Sequence, residues 1–390
     1  MNWPRRLGNV TTAWWICGTL AGAASLSLGP TFALAQPAPG TSTTASKYPF
    51  SVTAPNYTGG QATPVVDYVQ KQADALAGKE SDKWVDARRA LLAPADDPNA
   101  TPAFQAFYAS TVNDKLSAVY SGAMPPGKLN MAIVAEGVAR KSKSVALLPL
   151  ISSLLAEDSP ALVSWGLKAA SPIVPQIQNN PVASNVQPFM QAIVAAPLKF
   201  LGSGEVIEDT YRALTFEMNQ GQLPKPLQER AAPPLIDAVL GVLDNRLDAF
   251  KGGVPPAPRA ELEAFRFLRN TWNFPTITKT QKADTLRGLD HLMMAVVQLL
   301  QAGGQPLQTE RELRMLVNTI AKEALVIGGQ DRLNDNGLRV IAEDLTRNSG
   351  QGTPIAALAA SAGKLDTELN RVANVLSPAS ASQPATKPAP

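Results

Sequence analysis

One stretch constrains the rest of the chain. Residues 149–173 read PLISSLLAEDSPALVSWGLKAASPI. Leu150, Ile151, Leu154 and Leu155 are spaced by three and four, which brings side chains onto one helix face. Asp158 and Ser159 interrupt the apolar run, and Pro160 follows. A proline fits the first turn of a helix, where its missing N–H breaks no bond. Leu162, Trp165, Leu167 and Ala169 continue as a second helix. Two short amphipathic helices cannot bury both apolar stripes alone, so they require neighbours of the same kind.

Those neighbours are legible. Pro188-Phe189-Met190 precedes Ile193 and Val194, and Pro234-Leu235-Ile236 precedes Val239 and Leu240. Pro102 precedes Phe104, Phe107 and Tyr108, and Pro64 precedes Val65, Val66 and Val69. His291 stands in the proline's place before Leu292, Met293, Val296 and Val297. The starts at 64, 102, 149, 188, 234 and 291 are spaced 38, 47, 39, 46 and 57 residues apart. The first four spacings lie in or near the range of about 40–47 residues of two-helix repeats. The same pattern is also compatible with ordinary helix grammar, proline at a start and one apolar face.

The 149–173 stretch resembles a HEAT/armadillo-like repeat. Pro149, Ile151, Leu154, Leu155, Asp158, Pro160, Leu162, Ala169 and Ile173 match that pattern. Val163 departs from it; the family usually carries there an Arg that pairs with the turn Asp. The resemblance implies an extended array with a concave binding surface.

The predicted fold is all-α, an irregular α-solenoid of about seven antiparallel helix pairs over residues 64–376. The pairs are expected near 64–76 and 81–92, 102–120 and 128–141, the 149–173 unit, 183–201 and 205–218, 227–250 and 258–270, 284–302 and 307–326, and 332–348 and 354–376. Ser81 is the expected cap of the second helix. Pro172, Pro175, Pro197 and Pro233 are expected to kink or end helices. Aromatics at 6% suit helix-on-helix packing better than a β-sandwich.

Residues 1–35 have the form of a secretory signal peptide. Arg5 and Arg6 open it, an uncharged run covers 10–28, and Ala33-Leu34-Ala35 before Gln36 is the small-x-small pattern that signal peptidase reads. The predicted cleavage lies between Ala35 and Gln36. The other reading of the run is an uncleaved anchor, since about 18 apolar residues span a bilayer; its Gly, Ser and Thr content argues against that. Residues 36–63 are expected to be a disordered Pro/Ser/Thr-rich linker, and 377–390 a disordered Pro/Ala/Ser tail. The expected location is periplasmic or extracellular, with a bacterial envelope favoured and no stable membrane insertion after cleavage. Cys17 is the only cysteine, so the mature chain has no disulfide and no thiolate chemistry. Asn56-Tyr57-Thr58 and Asn99-Ala100-Thr101 are glycosylation sequons, read here as incidental.

Charge argues against a nucleic-acid partner. The chain has 35 basic and 32 acidic residues, and removing Arg5 and Arg6 leaves 33 against 32. No basic stripe interleaved with aromatics appears.

Catalytic constellations are sparse. A Ser-His-Asp triad could use only His291, and no G-x-S-x-G elbow accompanies it. His291 is expected on the face opposite the stripe of Leu286, Leu289, Met293, Val296 and Leu300. Asn334, Asn336, Gly337 and Glu343 imitate a calcium loop, but its first position is Arg332, a cation. A polar turn with Asn336-Gly337 opening a helix is the simpler reading. Glu205, Glu208 and Asp209 share a predicted helix, and Glu157 and Asp158 share a turn. Paired carboxylates can cleave glycosides, yet such groups are more often solvated faces or helix N-terminal acids. No phosphate loop or dinucleotide fingerprint occurs, and no cofactor is expected.

The leading expectation is therefore an exported non-enzymatic scaffold that binds a protein or peptide. Phe104 and Phe107 are weak candidates for its surface, since both fit the core. The alternatives are a carboxylate-based helical-toroid enzyme acting on cell-wall or other polysaccharide, and a structural envelope protein.

Overall fold

Pro102, Pro125, Pro160 and Pro258 each stand at the first position of a helix. The computed structural model describes residues 48–179, 186–215, 224–304, 306–330 and 336–377. The described residues hold fifteen α-helices and no strand. In chain order they are α1 (Ala62–Ala77), α2 (Ser81–Ala95), α3 (Pro102–Tyr120), α4 (Pro125–Ser142) and α5 (Leu148–Ala156). Next come α6 (Pro160–Ala170), α7 (Val174–Asn179), α8 (Val186–Ala195), α9 (Gly204–Leu214) and α10 (Lys225–Lys251). The last five are α11 (Pro258–Thr271), α12 (Lys279–Ala302), α13 (Leu307–Gln330), α14 (Asn336–Asn348) and α15 (Ile355–Leu376).

The predicted signal peptide with its Ala35–Gln36 cleavage point, the 36–47 part of the linker, and residues 378–390 of the tail lie outside the described residues. No helix among the described residues is long and apolar enough to cross a membrane.

The apolar stripes read from the sequence are the core. Leu150, Ile151, Leu154 and Leu155 of α5 are buried, as are Met131, Val134, Ala135, Val138 and Ala139 of α4. On α12, Leu286, Leu289, Met293, Val296 and Leu300 are buried, and a reciprocal Thr278–Gln281 capping box fixes the helix start. Contacts between helices follow two rows. In the first, α1, α3, α5, α8, α10, α12 and α15 each touch the next. In the second, α2, α4, α6, α9, α11, α13 and α14 do the same. Each first-row helix also touches its sequence neighbour in the second row. Gly127 allows the start of α4 to lie against the Leu76 carbonyl of α1, where any side chain would collide.

Prolines inside helices are accommodated by tertiary donors. Pro94 lies inside α2, so the Ala90 carbonyl loses its intrahelical N–H. The Tyr68 hydroxyl of α1 donates to that carbonyl at 2.9 Å. Other carbonyls toward the α2 terminus also take side-chain donors. Tyr108 donates to the Leu91 carbonyl at 2.7 Å, Tyr48 to Ala93 at 2.8 Å, and Gln105 Nε2 to Ala95 at 2.9 Å. In α10 the sequence leaves two outcomes at Pro233, a kink or an end, and the helix does not end there; Pro233 and Pro234 lie inside it. Pro233 frees the Glu229 carbonyl, and Thr276 Oγ1 donates to it at 2.5 Å.

The expected linker through Thr63 does not describe residues 48–61. Tyr48, Phe50, Val52, Ala54 and Tyr57 are buried, while Pro49, Ser51, Thr53 and Pro55 are exposed. That alternation is the extended-chain period, and it lays a row of side chains on α1 and α3. Phe50 stacks on Phe104 with centroids 5.9 Å apart and meets Tyr68 edge-on at 5.3 Å. Tyr57 lies 5.4 Å from both Phe104 and Phe107. The backbone is held as well: the Thr101 N–H donates to the Val52 carbonyl at 3.0 Å. Aromatic area, not regular secondary structure, offsets the ordering entropy of this segment.

The turn between α5 and α6 is held from both sides. Val163 is buried and supplies no charge. Lys199, from the segment after α8, instead donates to Asp158 Oδ1 at 2.6 Å and to the Ala156 carbonyl at 3.0 Å. This pairing depresses the Asp158 pKa. From the other side, Lys128 of α4 reaches Glu157 Oε1 at 2.7 Å.

Candidate functional site

Helices α6, α9, α11 and α13 are consecutive members of the second row, and two polar features lie along them. Between α6 and α9, Ser164 and Lys168 are one turn apart, facing Glu205 and Asp209, also one turn apart. Lys168 Nζ lies 3.1 Å from Glu205 Oε1 and 3.2 Å from Asp209 Oδ2. The Ser164 hydroxyl lies 3.3 Å from Glu205 Oε1 and forms a short hydrogen bond to Asp209 Oδ2. Lys168 also sits over the Trp165 ring, 5.0 Å from its centroid.

Asp209 is 2% exposed. Burial raises its pKa, against the lowering effect of Ser164, Lys168 and Arg212. Burial works to lower the Lys168 pKa, but Glu205 and Asp209 together outweigh it and hold the ammonium charged. Glu205, hydrogen-bonded to Lys168, is shifted down. The sequence-predicted pair thus comes together, tied to one ammonium and one hydroxyl. A glycosidase pair must present both carboxyl groups to the sugar; here the facing oxygens are engaged by Lys168 and Ser164. Glu208, the third acid of that helix, pairs instead with Arg212.

Farther along the same row, the first turns of α9, α11 and α13 line a groove of about 450 Å³. Gly204 and Glu208 come from α9, Pro258 and Arg259 from α11, and Arg311 and Met315 from α13. Met315 is 51% exposed, and Leu307, two turns earlier on α13, is 82% exposed. Leu307, Arg311 and Met315 are spaced by four and share a face. The groove's carboxylates are engaged: Glu208 with Arg212, and Glu312 with Gln308 Nε2 at 2.9 Å. The lining holds two arginines against two glutamates. Arg311 contacts only the Gln351 side chain, and Arg259 is exposed with no hydrogen bond or ion pair among the described residues. The groove is absent from the sequence reading. Its residues are up to 111 positions apart, from Gly204 to Met315, and only the unmatched Met315 and Leu307 on an otherwise amphipathic helix gave a signal.

The other predicted positions are scattered. His291 is exposed on α12. Asn336 and Gly337 begin α14, while Arg332 and Asn334 of the calcium-loop pattern lie outside the described residues. Phe104 is buried and Phe107 half-buried, both in the aromatic cluster. No group of three or more His, Cys, Asp or Glu among the described residues could hold a metal ion.

Two buried polar clusters were not anticipated. Arg246 of α10 and Glu261 of α11 are both buried and lie 2.9 Å apart. Arg246 also donates to the Leu201 and Pro255 carbonyls and packs its guanidinium 4.5 Å from the Phe250 centroid. Burial raises the Glu261 pKa, and Arg246 opposes the rise. The second cluster joins α12 to α15. Asn370 Nδ2 donates to Asp290 Oδ2 at 2.9 Å and to Asp366 Oδ1 at 2.8 Å. Asp290 is 3% exposed, and its Oδ1 has no hydrogen-bond partner among the described residues. Burial, and then the neighbouring Asp366, push the Asp290 pKa up to about 7.

Compared with known protein families, with characterised proteins and with solved structures, the chain matches none.

Proposed function

We propose that the chain is an exported, non-enzymatic helical-repeat scaffold of HEAT/armadillo-like type, whose second row of helices binds a protein or peptide. In this reading the two contact rows are the two layers of an irregular α-solenoid of about seven antiparallel helix pairs. The order of contacts supports it, since each pair meets the next through both of its helices. Lys128 and Lys199 pair with Glu157 and Asp158 at the turn where the repeat family uses an Arg. The observation that carries the binding assignment is the groove of α9, α11 and α13, where Met315 stands exposed beside Arg259 and Arg311, with Leu307 exposed two turns earlier on the same face of α13. Grouped apolar exposure of this kind marks interaction surfaces.

The test is a photo-crosslinking residue placed at Met315 in the full chain, activated in its native envelope fraction. A discrete protein or peptide adduct, absent when the crosslinker is placed at exposed Arg89 of α2, is the expected outcome. Equal labelling from both positions sinks the assignment. Export is tested separately, by N-terminal sequencing of the chain from that fraction: a start at Gln36 supports it, and an intact Met1 refutes it.

A further inference from the structure

The extended segment before α1 is built apart from the helices that receive it. The groups that grip it come later in the chain, on α1, α3 and the end of α2. Phe50 meets Tyr68 and Phe104, and Tyr57 meets Phe104 and Phe107. The Tyr48 hydroxyl donates to the Ala93 carbonyl at 2.8 Å. Thr101, the N-cap of α3, donates through its N–H to the Val52 carbonyl at 3.0 Å and through its hydroxyl to the Ala54 carbonyl at 3.2 Å. The segment also carries contacts of its own. Tyr48 stacks on Phe50 with centroids 5.5 Å apart, and the Tyr57 hydroxyl donates to the Ser51 carbonyl at 2.6 Å. Residues 48–57 are thus an arm, and the α1–α3 surface is its seat.

The attachment of the arm to α1 is of a different kind. Gly59 and Gly60 are exposed, and Gly59 has a φ of 56°. Among the described residues, no atom lies within 4 Å of where a Cβ would stand on either glycine, and neither Thr58 nor Gln61 forms a side-chain cap. Glycine takes left- and right-handed backbone with equal ease, so rotation at this pair frees the arm without disturbing α1. We infer that the arm is exchangeable between copies of the chain: the α1–α3 seat of one molecule takes residues 48–57 of a second, and reciprocal exchange pairs the two. The occupant is a second copy because the sequence seen to fit the seat is the chain's own. The same groups are buried in either arrangement, so hinge geometry and protein concentration decide between them. A short tether holds the arm at an effective concentration of about millimolar, which keeps the native chain closed when dilute. The outward residues Pro49, Ser51, Thr53 and Pro55 carry no charge, so like-charge repulsion does not oppose the crossing of two arms. This inference is independent of the second-row groove.

The experiment uses the full chain. Deleting Gly59 and Gly60 shortens the connection by about 7 Å and hinders the arm from folding back. This variant is expected to run as a dimer in light scattering at a concentration where the native chain is a monomer, and adding Phe50→Ala/Tyr57→Ala to it should restore the monomer. A fluorescent peptide of residues 48–57 should bind the full chain carrying Phe50→Ala/Tyr57→Ala at least tenfold more tightly than the native chain, whose seat is filled. It should exceed by the same factor a peptide of equal composition with the alternation broken. A hinge-deleted chain that stays monomeric, folded or not, overturns the inference. So does a dimer that persists without the Phe50 and Tyr57 side chains, or a peptide that the filled and emptied seats bind alike or not at all. If the emptied chain does not fold, the hinge deletion alone decides: a dimer supports exchange and a monomer refutes it.

Discussion

Around the end of α2 the closing groups are tyrosine hydroxyls and stacked rings; between α12 and α15 they are two carboxyl groups and an amide. Tyr48, Tyr68 and Tyr108 each donate to an α2 carbonyl. Burial raises the pKa of Tyr68 and Tyr108 above the ordinary phenol value, so these donors stay neutral from pH 5 to pH 7. The Asp290–Asp366–Asn370 cluster meets the same need with a titratable group, Asp290, whose pKa is raised to about 7. The first region should be indifferent to pH and sensitive to lost volume, and the second the reverse.

The largest break of that comparison is Phe104→Ala. Phe104 is fully buried and meets Phe50, Tyr57 and Tyr108, so its removal should cost about 3–5 kcal/mol in denaturant unfolding. The cost should be the same at pH 5 and pH 7.

Next is the carboxyl pair. The folded pKa of Asp290 is raised to about 7, against about 3.9 unfolded. The native state therefore holds a proton that the unfolded chain has lost between those values, and stability falls as pH rises. The contribution is complete below about pH 4 and gone by about pH 7. Asp290→Asn copies the protonated form at all pH. Relative to it, the native chain should lose on the order of 2 kcal/mol between pH 4 and pH 7. Parallel stability profiles for the two proteins would show that the pair does not titrate in this window.

A smaller effect sharpens the tyrosine side. Tyr68→Phe strands the Ala90 carbonyl opposite Pro94, a loss of about 1 kcal/mol. In a Pro94→Ala background the helix regains its own N–H, and the same substitution should cost less; equal costs in both backgrounds would refute the account. Smallest is Lys199→Met at the α5–α6 turn. Its partner Asp158 is exposed, so the unfolding midpoint should not move.

The repeated stripes were legible because each is local: Leu150 to Leu155, Met131 to Ala139 and Leu286 to Leu300 carry their own helical period. The entry segment was legible in part. Tyr48, Phe50, Val52 and Ala54 alternate, but two prolines and flanking Ser and Thr residues gave the stretch the composition of a linker. The buried ion pair and the carboxyl pair were not legible. Arg246 and Glu261 fall on different helices, and Asp290 meets partners 76 and 80 residues away. Alone in sequence each is an ordinary charged residue on a helix; only packing removes it from water. The Glu205–Asp209 spacing was visible, but not the intervening Lys168.

The tyrosine contacts to α2 also bear on synthesis. A nascent chain emerges from its N-terminus, and α2 leaves the ribosome before Tyr108 does. Until residues 102–108 follow, the Leu91 carbonyl lacks its Tyr108 donor, and Phe50 and Tyr57 have no Phe104 to rest on. The first helix pair cannot be finished alone. Its amide protons in the last turn of α2 should become protected from exchange together with those of α3, as one cooperative unit.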